Sequence, residues 1–200
     1  MPPRPYSSTS RDAAAAATRQ RVVEAAAKLL REVESSAQFT MDSAAKAAGV
    51  TRLTVYKQFG SRRGLLEAVF DENARSGGIM RILEAMQNEN PRQGLDQAID
   101  ILCEFWGRDS SFARLHDAAA TDPEFGEAIA ERNNRRRIAL NALVSRMKGP
   151  ANDREAVVDL LFGLTTMAMF RTLMAGRTWE QVAETMKFGC NAILDARGLN

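Results

Sequence analysis

The chain has very little of what enzymes and secreted proteins use. Among 200 residues there is one histidine, His116, and there are two cysteines, Cys103 and Cys190. Cysteines this far apart, at no metal-type spacing, argue against a zinc site or a disulfide framework and point to a reducing compartment. With a lone histidine, no glycine-rich phosphate loop and no nucleophile set beside a base, no catalytic residue, metal site or cofactor is expected. Long apolar runs are missing too. The longest, near Leu160 to Phe170, contains Thr165 and Thr166, stops at Arg171, and is too short to span a bilayer. The opening Met1-Pro2-Pro3-Arg4-Pro5 leads into Ser and Ala rather than an apolar segment with a cleavage site. A cytoplasmic protein with no membrane partner is expected.

What is present suits a globular chain. Hydrophobic residues make up 45% and charged residues 26%, enough to bury a core. The net charge of +2 hides an asymmetry: residues 1 to 63 carry +6 and the remainder −4. A basic front on an acidic rear predicts one part that meets a polyanion and one that does not.

The pattern is helical throughout, with no alternating strand signal to compete. Residues 1–12 form a basic arm of Pro, Ser, Thr and Arg, expected to be flexible, with Arg4 and Arg11 free to settle into a groove or to do nothing. Residues 13–62 form a head that extends to about residue 70. It opens with an Ala-rich helix from Ala13 to about Arg31, whose apolar stripe is Val22, Ala25, Ala26, Leu29 and Leu30. Residues 63–200 form a body, with helices predicted over about 92–107, 111–120, 124–147, 153–175 and 179–196. Pro123 suits a first turn, Asp153 and Thr178 suit caps, and Gly149-Pro150 and Gly176 suit stops.

The informative stretch runs from Phe39 to Ser61 and reads as two short helices about a tight turn. Thr40 caps the first and Asp42 complements its positive end. Ala44, Ala45 and Ala48 let a second helix cross closely, Gly49 supplies the turn, and Thr51 caps that second helix. At 100° per residue, Val55 and Phe59 share the inward face while Leu53, Thr54 and Lys57 point outward. Arg52 and Tyr56 flank one edge and Gln58 the other. Lysine donating to guanine or phosphate, threonine to either, and leucine against a thymine methyl make a face suited to a DNA groove. Each residue has a plainer reading as a solvated charge or a half-buried packing group. Arg62 and Arg63 come directly after Ser61 in a first helical turn, where the dipole disfavours cations by roughly 0.3 to 1 kcal/mol each. A bound phosphate would offset that cost.

With these residues in place the sequence resembles the TetR family of regulators. The matching block runs from about Val22 to Phe70 and comprises Phe39-Thr40, the Ala-rich helix, Gly49-Val50, Thr51-Arg52, Thr54-Val55-Tyr56, Phe59 and Leu65-Leu66. The resemblance implies a three-helix DNA-binding head, a helical ligand-binding and dimerisation body, and a homodimer built on the last two long helices. It further implies repression at a palindromic operator, relieved by a small-molecule inducer. By position it implies phosphate contacts at Thr40, Tyr56, Gln58 and Arg62, and a base-facing set of Arg52, Leu53, Thr54 and Lys57. At Leu53 and Arg63 the sequence departs from the family's usual residues, which leaves the base contacts open.

In the rear half, Leu160 to Leu173 is apolar on nearly every face, and Val182, Met186, Phe188, Ile193 and Leu194 load the next helix similarly. Either these form a symmetric four-helix interface or they are monomer core. Cys103, Trp106, Phe112, His116, Phe170, Arg171 and Met174 either line a ligand pocket or are ordinary core with a satisfied histidine and a paired arginine. The run Arg135-Arg136-Arg137 wraps round its helix and is expected at a solvated surface. Two competing functions differ in kind: a ligand-independent architectural DNA-binding protein, which would have no pocket, and an enzyme with an accessory DNA-binding head.

Overall fold

The computed structural model describes residues 8–150 and 153–200, and the described residues form helices and turns only. The order is α1 Ser8–Glu32, α2 Met41–Ala48, α3 Arg52–Phe59, α4 Arg62–Ser76, α5 Ile82–Gln87, α6 Pro91–Arg108, α7 Ser111–Thr121, α8 Pro123–Arg146, α9 Arg154–Leu164, α10 Met167–Leu173 and α11 Trp179–Ala196. Helix α1 starts at Ser8, upstream of the expected Ala13, so the basic arm is shorter than predicted. Its residues 1–7, with Arg4, lie outside the described residues.

In the head, α1 packs on α2 and α4, and α3 closes the bundle. The α1 stripe sits one position off the predicted one: Val22, Val23, Ala26, Ala27 and Leu30 are buried, while Ala25 and Leu29 lie at its margin. Local chemistry fixes the ends. Asn90 and Asp122 cap α6 and α8, each followed by proline in the first turn, and Thr178 caps α11 in a reciprocal capping box with Gln181. Gly176 stops the preceding turn with φ +70.

Two predicted features of the rear half do not hold in full. Residues 153–175 do not form one helix, because α9 and α10 meet at 52° across Thr165 and Thr166. The Thr165 hydroxyl bonds the Leu161 carbonyl, and Thr166 adopts an extended backbone and caps α10 through the Met169 amide. Asp153 occupies the N-cap position of α9, its carbonyl accepting from the Val157 amide at 3.0 Å, but its side chain does not cap. It sits in the left-handed region at φ +64, and its carboxylate instead accepts from Arg197 at 3.0 Å.

Polar cross-links tie head to body. Arg31 pairs with Asp109 at 2.8 Å, Arg132 with Asp71 at 2.7 Å, and the buried Asn73 amide donates to Ser111 at 2.8 Å. The most connected is Arg62: Nε donates to the Phe39 carbonyl at 3.1 Å, Nη2 to the Ser36 carbonyl at 3.1 Å and Nη1 to Asp122 at 2.8 Å. One guanidinium thus fastens the segment leading into α2 to the turn between α7 and α8. Replacing Arg62 with Ala strands those acceptors, and since hydrogen bonds to charged groups contribute about 1.5–3 kcal/mol, a destabilisation of about 2 kcal/mol is expected in urea denaturation. A variant as stable as the parent would show that the junction holds without it.

Candidate nucleic-acid interface

The helix-turn-helix forms as its residues dictate. Thr40 caps α2 in a reciprocal box with Ser43, its hydroxyl accepting from the Ser43 amide at 3.0 Å. Gly49 ends α2 at φ +65, a left-handed position suited to a residue without Cβ, and Thr51 caps α3 by accepting from the Thr54 amide. Within α3, Val55 is fully buried and Phe59 nearly so. The C-terminal end of α3 is held from two sides. Arg19 donates to the Gln58 carbonyl at 2.8 Å while lying over the Phe59 ring, and Gly64 of α4 comes so close that a Cβ there would fall 2.1 Å from the Phe59 carbonyl oxygen. Neither Arg19 nor Gly64 stands out in the sequence, because each acts through contacts that no local pattern encodes.

The opposite side of α3 faces solvent. Leu53 is 62% exposed, unusually so for a leucine, and Arg52, Tyr56 and Lys57 are exposed beside it. Thr54 is half-buried, its hydroxyl 2.9 Å from that of Thr51. Arg52 reaches Asp42 at 3.1 Å and the Tyr56 hydroxyl at 3.3 Å, which orients both side chains along one edge. Such an exposed ion pair contributes little by itself, about 0–1 kcal/mol, so its acceptor is readily exchanged. Gln58 turns toward α1, its amide 3.5 Å from the Ala15 carbonyl.

Arg62 does not join this surface. Its three acceptors within the chain turn the guanidinium inward, which corrects its assignment as a phosphate contact. The cost of two cations in the first turn of α4 is met internally as well, since Arg63 pairs with Glu67 at 2.6 Å.

The seven residues proposed to line a ligand pocket do not form one. Cys103, Trp106, Phe112 and Phe170 are buried core, with Trp106 and Phe170 rings 5.5 Å apart and Cys103 Sγ 3.5 Å from Met186 Sδ. Burial pushes both cysteine thiols up to about 12, so they stay protonated at neutral pH. Arg171 pairs with Asp117 at 2.6 Å, and Met174 packs at the core's edge. The ordinary-core reading therefore fits these positions. A gap of about 20 Å³ beneath α5, with room for about one water, touches none of them. The arginine run also differs from expectation. Arg136 has buried nitrogens instead of a solvated head, and Arg137 pairs with Asp159.

Comparison with known proteins agrees with the head. Residues 22–69 match the family described as "Bacterial regulatory proteins, tetR family". The HTH-type transcriptional regulator EthR of Mycolicibacterium smegmatis is 29% identical over 168 residues, covering 82% of this chain and 76% of that protein. Three solved structures share the fold at 18% identity. A transcriptional regulator from Rhodococcus sp. Rha1 has a TM-score of 0.72 over 90% of this chain and 97% of that one. A TetR transcription regulator from Haloarcula marismortui has 0.67 over 92% and 100%, and the multidrug binding protein EbrR, complexed with imidazole, 0.56 over 86% and 93%.

His116 has a measurable signature. Burial, then the charges of Arg136 and Arg171, hold its imidazole down to about 4. In the unfolded chain it would protonate near 6.5, so the folded state binds fewer protons between those values. Stability is then complete above about pH 6.5 and declines as pH falls toward 4, by up to roughly 3 kcal/mol from this group. The slope of unfolding free energy between pH 5 and 7 should flatten in His116→Gln; an unaltered slope would contradict the assignment.

Proposed function

We propose that the chain is a TetR-family, DNA-binding transcriptional regulator, and within that family a homodimeric repressor, acting in the cytoplasm, that a small molecule releases from a palindromic operator. The observation that carries the DNA assignment is the division of α3 into a side anchored by Val55 and Phe59 and a side of exposed Arg52, Leu53, Tyr56 and Lys57. In this reading Arg52, Leu53, Thr54 and Lys57 face base edges. Tyr56, Thr40 and Gln58 lie against phosphates, Gln58 after its amide leaves Ala15, while Thr51 serves as the cap.

Pairing of two chains is supported by the outer side of the body. Val182, Met186 and Leu194 of α11 are used up in the chain's own core, but Phe188 is 78% exposed and Leu160 of α9 is 49% exposed. Gly189 lies against Leu164, a Cβ there meeting its side chain at 3.4 Å, so the two helices adjoin at this point. Exposed Ala156, Gly163 and Ala192 extend a face of small and apolar residues. A second copy covering α9 and α11 would make an isologous four-helix contact and present two copies of α3 to successive major grooves, about 34–36 Å apart. Ligand binding is supported by the likeness to EbrR, itself a multidrug binding protein.

Two measurements test the proposal. In fluorescence anisotropy with an inverted repeat from the DNA flanking the gene, a Tyr56→Phe, Lys57→Ala double variant should bind at least tenfold more weakly, with a log K versus log salt slope shallower by about 1. Retained affinity with the parent slope would remove the DNA assignment. Phe188→Glu places a carboxylate in each half of the proposed interface and should shift the molecular mass by light scattering from dimer to monomer; a variant that stays dimeric would relocate the interface.

A further inference from the structure

The surface that α3 offers to a duplex carries a carboxylate at its edge, where the charge of a polyanion opposes it. Asp42, in the first turn of α2, is exposed, and its Oδ2 accepts from Arg52 Nη1 at 3.1 Å. Arg52 Nη2 donates to the Tyr56 hydroxyl at 3.3 Å, and the guanidinium lies 5.3 Å from the centre of the Tyr56 ring. Both terminal nitrogens are therefore tied within the head, one across to α2 and one along α3. Closing the start of α2 does not require Asp42, because Thr40 and Ser43 already do so in their reciprocal box. Its charge complements that helix end whatever it touches, so the reach across the turn to Arg52 is a separate feature.

We propose that Asp42 is a specificity-determining residue, which neutralises and orients Arg52 so that this cation reads guanine instead of following the phosphate backbone. The inference rests on the DNA-binding reading above, in which Arg52 faces base edges. Arg52 is the first residue of α3, and the N-terminal residues of a recognition helix are those that meet the bases. An untethered arginine at such a place gains from any phosphate, and phosphates are alike in every sequence. A tethered one is more selective. To pair with a phosphate, Arg52 must leave Asp42 and the Tyr56 hydroxyl and draw that phosphate toward a carboxylate. To meet guanine it need leave neither, since each terminal nitrogen keeps a second N–H and the planar fork matches O6 and N7. In the free protein the exposed pair contributes little, but its attraction grows in a groove that excludes water, so the orientation is enforced where it is used. The sequence hides the tie because Asp42 and Arg52 stand ten positions apart on two helices, brought together by the turn at Gly49.

The test is fluorescence anisotropy on the full chain with three kinds of duplex: the inverted repeat from the DNA flanking the gene, versions in which each G·C pair in turn becomes A·T, and a mixed sequence of equal length. The parent should lose about tenfold in affinity at one G·C position of each half-site. Asp42→Asn should cut that loss to less than about threefold and bind the mixed sequence roughly threefold more tightly, with a log K versus log salt slope steeper by about 1 for each head bound. Once Arg52→Gln has been made, adding Asp42→Asn should change mixed-sequence binding by less than about twofold, because the cation it would release is gone. An equal gain with and without Arg52 would make Asp42 a repulsive charge only. An unchanged ratio between repeat and mixed sequence, or equal weakening on both, would confine it to the helix end. Either result overturns the proposal while the DNA-binding reading stands, whereas a parent that binds neither duplex removes both.

Discussion

Eight residues cannot hold a helix in water. Isolated helices shorter than about 12–15 residues are marginal even with the best formers, and α3, Arg52–Phe59, contains β-branched and aromatic residues. Its existence therefore depends on two side chains, Val55 and Phe59, wedged into the head, and on the closure of its ends by Thr51 and Arg19. Everything offered to DNA is what remains on the other side. Because the anchors leave so little surface uncommitted, exposed Leu53 and Lys57 are a consequence of the packing as much as a choice of chemistry.

The same dependence reaches into the body. The segment that leads into α2 is gripped by Arg62, which also grips Asp122 at the start of α8. Further along α8 comes Arg132, bonded to Asp71 of α4. From Asp122 to Arg132 is ten positions, or about 15 Å of helix, so one rigid element carries both contacts. A ligand changes the head only if it favours one position of α8 over another, and these cross-links are where such a preference would be felt.

How much of the fold and the site is legible in the sequence depends on the range of the forces involved. Thr40, Gly49, Thr51, Pro123 and Thr178 do their work within four residues, and each occupies the cap, turn or first helical position expected of it. The inward and outward sides of α3 come from helical periodicity alone. Arg62 is not legible in this way, because its partners lie 23, 26 and 60 positions away. The bend at Thr165-Thr166 is hidden by apolar residues on both sides, which read as one continuous helix until the hydroxyls are seen competing for backbone groups. For Cys103, Trp106, Phe112 and Phe170, composition marks a residue for the interior but does not say whether it borders a void or fills one.

The basic front half also looks different once its cations are traced to their partners. Arg31, Arg52, Arg62 and Arg63 are each matched to a carboxylate, on Asp109, Asp42, Asp122 and Glu67. Three of these four carboxylates lie outside the helix-turn-helix, two of them in the acidic body. Two of these pairs, Arg31–Asp109 and Arg62–Asp122, lie where the two parts meet. What is left for a polyanion is a smaller set, of which exposed Lys57 stands on α3 and exposed Lys46 on α2. Arg52 would join them if it left the exposed Asp42, an exchange that is inexpensive because the pair is solvated. On the proposed reading, the salt dependence of DNA binding is set by a few cations in the head, fewer than the sequence total suggests.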